Sequence, residues 1–164
     1  MLFATHLIGG YVFAKLFNQP SIPVIAGAAL PDLVDKPLGI LGIAPYYHTV
    51  AHSILTVIVF SIIAIKFRRL VPVIIGWISH IFMDALHILI NRGVEATTFI
   101  FYPVMFPDKP QITDGSVNFV VDFWSNYLWT IGFYTEFIFW GIGIYFIYRE
   151  REELIQRFHH IVEH

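Results

Sequence analysis

Nine ionisable side chains stand in otherwise apolar sequence: His6, Asp32, Asp35, His48, His52, His80, Asp84, His87 and Glu136. Imidazole nitrogens and carboxylate oxygens can ligate a metal, move protons or hydrogen-bond to each other. His80 and Asp84 are four residues apart and share a face if helical, and His87, three residues further on, falls on that face too. Such a pair chelates one metal ion or binds two adjacent ones, and the plain alternative is a buried His–Asp hydrogen bond. His48 and His52 repeat the spacing. The chain holds four His-x3-(His/Asp/Glu) pairs, against roughly one expected by chance for a short motif in this composition. His159/Glu163 and His160/His164 lie in a polar tail and read as solvated. The other two lie in apolar sequence, where an ionisable group is expensive and needs a reason.

The elements that must position these groups follow from where charge is missing. Of 164 residues, 57% are hydrophobic and 13% charged, about half the charged share of an average soluble domain. This composition opposes a soluble enzyme and a disordered chain. A net charge of −2 leaves no basic excess for nucleic acid. Cysteine is absent, so a metal must be held by His, Asp or Glu. A helix that crosses the ~30 Å hydrocarbon core needs about 20 mostly apolar residues. Segments 49–65, 70–90 and 126–148 read as spanning helices. Residues 2–17 and the shorter run 22–30, which stops at Pro31, read as a helical hairpin. Gly9, Gly10, Ala26, Gly27, Ala28 and Ala29 would let its backbones approach closely. The expected fold is all-α: a polytopic transmembrane bundle of about four spanning helices plus a short re-entrant helix. Residues 1–148 form the membrane-embedded domain and 149–164 a short charged, amphipathic cytoplasmic tail.

Lys and Arg near the helix ends set the orientation. Lys66, Arg68 and Arg69 fall in one turn, and Arg149, Arg151 and Arg157 follow the last span two crossings later. Both clusters can therefore be cytoplasmic, and Lys15 joins them if the N-terminus starts outside. The opposite side then holds 31–48 and the aromatic-rich connection 91–125, with Phe99, Phe101, Tyr102, Phe106, Phe119, Phe123 and Trp124. These read as an interfacial belt, or as a lipid-facing lip beside a site. At 1.5 Å per helical residue, His6, Asp32, His52, His80 and Asp84 can meet at one level, away from every basic cluster. Nitrogen and oxygen donors without sulfur suit Zn²⁺, and Mn²⁺ or Fe²⁺ fit as well. One ion with an open water position or a two-metal site would activate water against a phosphoryl group. Ser53, beside His52, reads as a helix serine bonded to the backbone one turn back.

The sequence resembles the YdjM-like family of membrane-bound metal-dependent hydrolases. The resemblance rests on Thr5-His6, Leu30-Pro31-Asp32-Leu33-Val34-Asp35-Lys36-Pro37-Leu38, Ala51-His52-Ser53-Ile54-Leu55 and Gly76-Trp77-Ile78-Ser79-His80 running on to Asp84, in that order over residues 1–90. The family is distantly similar to zinc-dependent phospholipase C and P1-type nucleases. The resemblance implies His6, Asp32, His52, His80 and Asp84 as metal ligands. Many members have Pro-Asp-x-Asp-His, whereas here Asp35 comes one residue later and Lys36 follows. His48 stands where relatives often carry Arg, a position suited to an anionic substrate. The expected function is membrane-embedded, metal-dependent hydrolysis of a phosphoester on a lipid or lipid-linked substrate. Asp84 takes part in catalysis, and His87 or His48 serves as general acid. The expected location is the cell membrane, multi-pass, with the site on the non-cytoplasmic side. The alternatives are a metal-binding or metal-transporting membrane protein, for which Glu136 near the centre of the last span is the marker, and a structural protein whose His/Asp groups only bond helices together.

Overall fold

The computed structural model describes residues 1–44, 46–106 and 126–151. Among these, all regular structure is helical: α1 (Phe3–Leu16), α2 (Ser21–Ile40), α3 (Ile54–Lys66), α4 (Val71–Arg92) and α5 (Ile131–Arg149), with short 3-10 turns at Val50–His52, Arg68–Leu70 and Val94–Phe101. The tail beyond residue 151, including His159, His160, Glu163 and His164, lies outside the described residues.

Local chemistry sets the boundaries. Ser53 caps α3, its hydroxyl accepting from Leu55 N at 3.1 Å, and Thr130 caps α5 by accepting from Phe133 N at 3.2 Å. A side-chain acceptor at this position satisfies an N–H that has no partner in the helix. Ser53 thus stands ahead of the helix, not within it as the sequence suggested. Pro72 sits in the first turn of α4, where its missing N–H breaks no bond. Gly93 ends α4 at φ 84°, which a side chain would resist.

Two expectations change. The short run expected to stop at Pro31 is a helix of 20 residues that continues through Pro31 and Pro37 to Ile40. An interior proline removes one helix bond and crowds the carbonyl four residues back. Packing against α1 and α4 offsets that penalty, and Pro31, Asp32 and Asp35 are all buried. The helix expected from residue 49 starts only at Ile54, because the residues before it are bound to Asp35 in a separate turn.

By length and composition, two helices can cross a membrane: α4 with its leading turn, Arg68–Arg92, and α5. At 14 and 13 residues, α1 and α3 measure ~21 and ~20 Å, short of a ~30 Å hydrocarbon core. α4 is central and packs on α1, α2, α3 and α5. Half of its apolar window is buried, against 17% of that of α5. α5 therefore turns Phe137, Ile138, Ile144 and Tyr145 outward, and α3 does the same with Ile58, Val59, Ile62 and Ile65.

Glycine makes the central crossing. A Cβ on Gly76 would stand 1.9 Å from the Val24 carbonyl oxygen, and one on Gly27 2.0 Å from that of Val73. α2 and α4 therefore meet backbone to backbone. Gly10 lies against Ala28 and Ile25, and Gly9 against Met83. Of the small residues singled out in the sequence, Gly9, Gly10, Gly27 and Ala28 sit at these crossings.

Helix directions follow from the contacts. α1 and α5 run parallel: Thr5 meets Glu136, Ile8 meets Gly143, and Lys15 pairs with Glu150. α2 and α4 run together the other way, Val24 against Gly76 and Ala28 against His80. The last turns of α1, α3 and α5 therefore gather Lys15, Lys66 and Arg149 at one end of the bundle, with Arg68 and Arg69 in the turn between α3 and α4. The His/Asp groups collect at the other end.

Candidate metal centre

Four separate pieces of chain build the centre. α1 brings His6 at the end of its first turn, α2 brings Asp32 and Asp35, the turn ahead of α3 brings His52, and α4 brings His80 and Asp84. All six side chains are buried.

His52 Nε2 and His80 Nε2 are 3.1 Å apart. Asp84 Oδ2 is 3.5 Å from the first and 3.3 Å from the second. Asp32 Oδ1 is 3.6 Å and 3.7 Å from the same two atoms. Ligand atoms placed ~2.0–2.1 Å from a tetrahedral zinc lie ~3.3 Å from one another. Each triangle of donors is thus the size that one ion spans. Asp84 is the hub: its other oxygen is 3.1 Å from His6 Nε2, and Oδ2 is also 3.3 Å from His48 Nε2. The buried Met1 amino group lies 3.1 Å from Asp84 Oδ1. Three overlapping groups can hold a metal ion: His6/His80/Asp84, Asp32/His52/His80 and His48/His52/Asp84.

A second layer aims these rings. His52 Nδ1 is 2.8 Å from Asp35 Oδ2, and His80 Nδ1 is 2.6 Å from the Ala28 carbonyl oxygen. Each contact places the N–H on Nδ1 and turns the Nε2 lone pair inward, as metal-ligating histidines require. The Asp35 carboxylate also accepts from the backbone N–H of Thr49 at 2.7 Å, Ala51 at 3.1 Å and His52 at 3.2 Å. It fixes the whole turn that carries His52. Trp77 Nε1 donates to the Ala51 carbonyl at 2.6 Å and pins the turn from the α4 side.

At His52 the electrostatics favour positive charge. Burial lowers the pKa of His52, but Asp32, Asp35 and Asp84 outweigh it and raise it to about 10. The three carboxylates around His52 favour a positive charge at that ring. The chemistry of the donor set therefore fits a divalent metal: imidazole nitrogens and carboxylate oxygens, buried and mutually spaced for it.

His6, Asp32, His52, His80 and Asp84, the five expected ligands, are brought together. His48 joins them at the rim, half-buried. His87 lies outside the three groups: its Nε2 is 3.0 Å from Asn91 Nδ2 and its ring packs on Tyr127, facing α5. Asn91 in turn accepts from Gly132 N at 3.0 Å, so this pair ties α4 to α5. Glu136 is engaged elsewhere as well, accepting from Leu2 N at 3.0 Å, from the Thr5 hydroxyl at 2.5 Å and from Tyr127.

The aromatic belt divides. Phe99 is buried against the rings of His48 and His52, at centroid distances of 5.0 and 6.4 Å. Phe101 and Phe106 are exposed, and Phe119, Phe123 and Trp124 lie outside the described residues. Sequence reasoning left the part played by Asp35 open and missed Trp77 and the Ala28 carbonyl as supports. The spacing of Asp35 to Asp32, i to i+3 on one helix, was the available signal for the first. The other two contacts are non-local and left no mark in the sequence. No family model, curated protein or solved structure matches the chain.

Proposed function

We propose that this protein is a membrane-embedded, metal-dependent hydrolase acting on a phosphoester of a lipid or lipid-linked substrate. The observation that carries the reading is the gathering of His6, Asp32, His52, His80 and Asp84 into overlapping buried groups that share His80, His52 and Asp84. The resemblance to the YdjM-like hydrolases, and through them to zinc-dependent phospholipase C, points the same way and rests on these same residues. Zn²⁺ is the metal these donors suit best, as one ion or two. When bound, it would supply an acidified water as nucleophile and positive charge for the phosphoryl oxygens.

The remaining chemistry belongs to the chain. Asp35 and the Ala28 carbonyl keep the rings of His52 and His80 in place. His48, at the rim and in contact with Asp84, is the candidate to hand a proton to the leaving group. His87 faces Asn91 and is the weaker candidate. Lys36, half-buried with its amine 2.5 Å from Asp32 Oδ2, offers positive charge to an incoming phosphate.

In this reading α1 and the 20-residue α2 form a hairpin that crosses and returns, α2 running beside α4 from the basic end to the centre in place of the re-entrant helix expected, and α3, α4 and α5 make the remaining crossings. The protein resides in the cell membrane with the basic end cytoplasmic and the metal centre on the other side. A metal carrier without hydrolytic activity is the alternative. It needs Glu136 as a further ligand, and that carboxylate is already occupied by three donors.

Metal analysis of detergent-purified protein beside His80→Ala tests the first half. A stoichiometric ion lost in the variant supports it, and no ion in the wild type rejects it. A screen of phospholipids and isoprenoid phosphates tests the second, with Asp84→Ala as control. Full turnover in Asp84→Ala rejects the scheme.

A further inference from the structure

We infer that Glu136 is a positioning residue for the metal centre, acting through the first turn of α1 on His6; this rests on the metal-site reading above. Helix α1 begins without local help. Its N-cap is Leu2, with no side-chain capping bond and no acidic residue in the first turn. In an ordinary capping box, a carboxylate three residues into the helix reaches back to the N-cap N–H. Here Glu136 of α5, 134 residues away, makes that bond to Leu2 N at 3.0 Å. Its other oxygen takes the Thr5 hydroxyl at 2.5 Å. Trp140, one turn further along α5, donates to the same hydroxyl at 3.1 Å. Two consecutive turns of α5 thus clamp Thr5, the residue that precedes His6.

The placement serves His6. The His6 ring stacks on His80 with centroids 3.7 Å apart and puts Nε2 3.1 Å from Asp84. Its other nitrogen, Nδ1, is buried with no hydrogen-bond partner. His52 and His80 are each aimed by a bond to Nδ1; His6 has none and takes its orientation from the backbone that carries it. That backbone is held by Glu136. A carboxylate inside an apolar helix is expensive, and α5 carries this one next to the only turn of α1 whose position the metal centre depends on.

The test measures Zn²⁺ affinity of the full chain in detergent by competition with a chelating dye. It uses Glu136→Ala, Glu136→Gln, Thr5→Val, His6→Ala and the double variant Glu136→Ala/His6→Ala, with helicity and thermal unfolding followed in parallel. Loss of an outer-shell support weakens a metal site about 10- to 100-fold. We expect a loss of that order in Glu136→Ala and a smaller one in Thr5→Val. Glu136→Gln keeps an acceptor for Leu2 N and should stay within about fivefold of wild type, since one hydrogen bond of this kind is worth about 1 kcal/mol. The loss caused by Glu136→Ala should vanish once His6 is already absent, because residues that act through one another are not additive. Wild-type affinity in both Glu136→Ala and Thr5→Val overturns the inference. So does an equal loss in the presence and absence of His6, which marks a general packing defect, and so does a large loss in Glu136→Gln, which makes the charge itself a ligand. If the wild type takes up no Zn²⁺, it is the metal-site reading that has failed, and this inference falls with it.

Discussion

Asp35 belongs to none of the three donor groups, yet it holds the turn that presents His52. Its carboxylate serves one imidazole and three backbone N–H groups at once. Asp35→Asn keeps the size of the side chain and an acceptor oxygen but removes the charge and replaces one acceptor with a donor. We predict a loss of about 10- to 100-fold in Zn²⁺ affinity with the saturating stoichiometry unchanged, read by dye competition and elemental analysis. Asp84 behaves differently, because it lies within 3.5 Å of four imidazole nitrogens. Asp84→Asn is expected to lower the bound stoichiometry itself. At this scale the sequence was informative wherever a ligand pair is local, as in His80/Asp84. It was silent on Trp77 and Ala28, whose bonds to distant segments depend on packing.

The α2–α4 crossing decides whether the centre exists at all, since α2 supplies Asp32 and Asp35 and α4 supplies His80 and Asp84. It depends on Gly27 and Gly76, where an added Cβ would meet the opposite backbone at 2.0 and 1.9 Å. Overpacking of this kind costs about 1–3 kcal/mol or more and pushes the two ligand-bearing helices apart. Gly76→Ala should therefore lower thermal stability in detergent and abolish stoichiometric metal uptake. Gly141→Ala is the control: it lies mid-helix in α5 with nothing within 4 Å. There alanine should stabilise by about 0.5–1 kcal/mol and leave metal binding untouched. The same crossing explains why α2 runs on past Pro31. Sequence rules weigh the lost helix bond, whereas the helix is held by what it buries.

Across the whole molecule, the basic side chains Lys15, Lys66, Arg68, Arg69 and Arg149 collect at one end and the His/Asp centre at the other, with Lys36 and Arg92 on the side of the centre. If the bundle crosses a membrane as proposed, a cysteine placed at Arg68 and one placed at Gly42 should react with an impermeant thiol reagent from opposite faces of sealed vesicles. The natural chain has no cysteine to interfere. Labelling of both from one face would reject the proposed topology. If a metal joins four pieces of chain as proposed, it also stabilises the whole bundle. Zn²⁺ at 100 times its Kd should add about 2.7 kcal/mol, seen as a rise in melting temperature that a chelator reverses and that His80→Ala lacks.

The sequence alone determined the all-helical class and the two long apolar helices, and it nominated five candidate ligands. These are local properties: hydrophobic runs long enough to cross a bilayer, and ionisable residues that such runs do not tolerate without a purpose. Only the tertiary structure decided that the five donors fall in overlapping groups linked through His80, His52 and Asp84, that Asp35 aims His52, that His87 turns toward Asn91, and that Glu136 caps α1. Each of these is set by which backbones can approach at Gly27 and Gly76, and by hydrogen bonds between residues up to 134 positions apart. Neither hydrophobic periodicity nor residue spacing along a single helix records such long-range contacts.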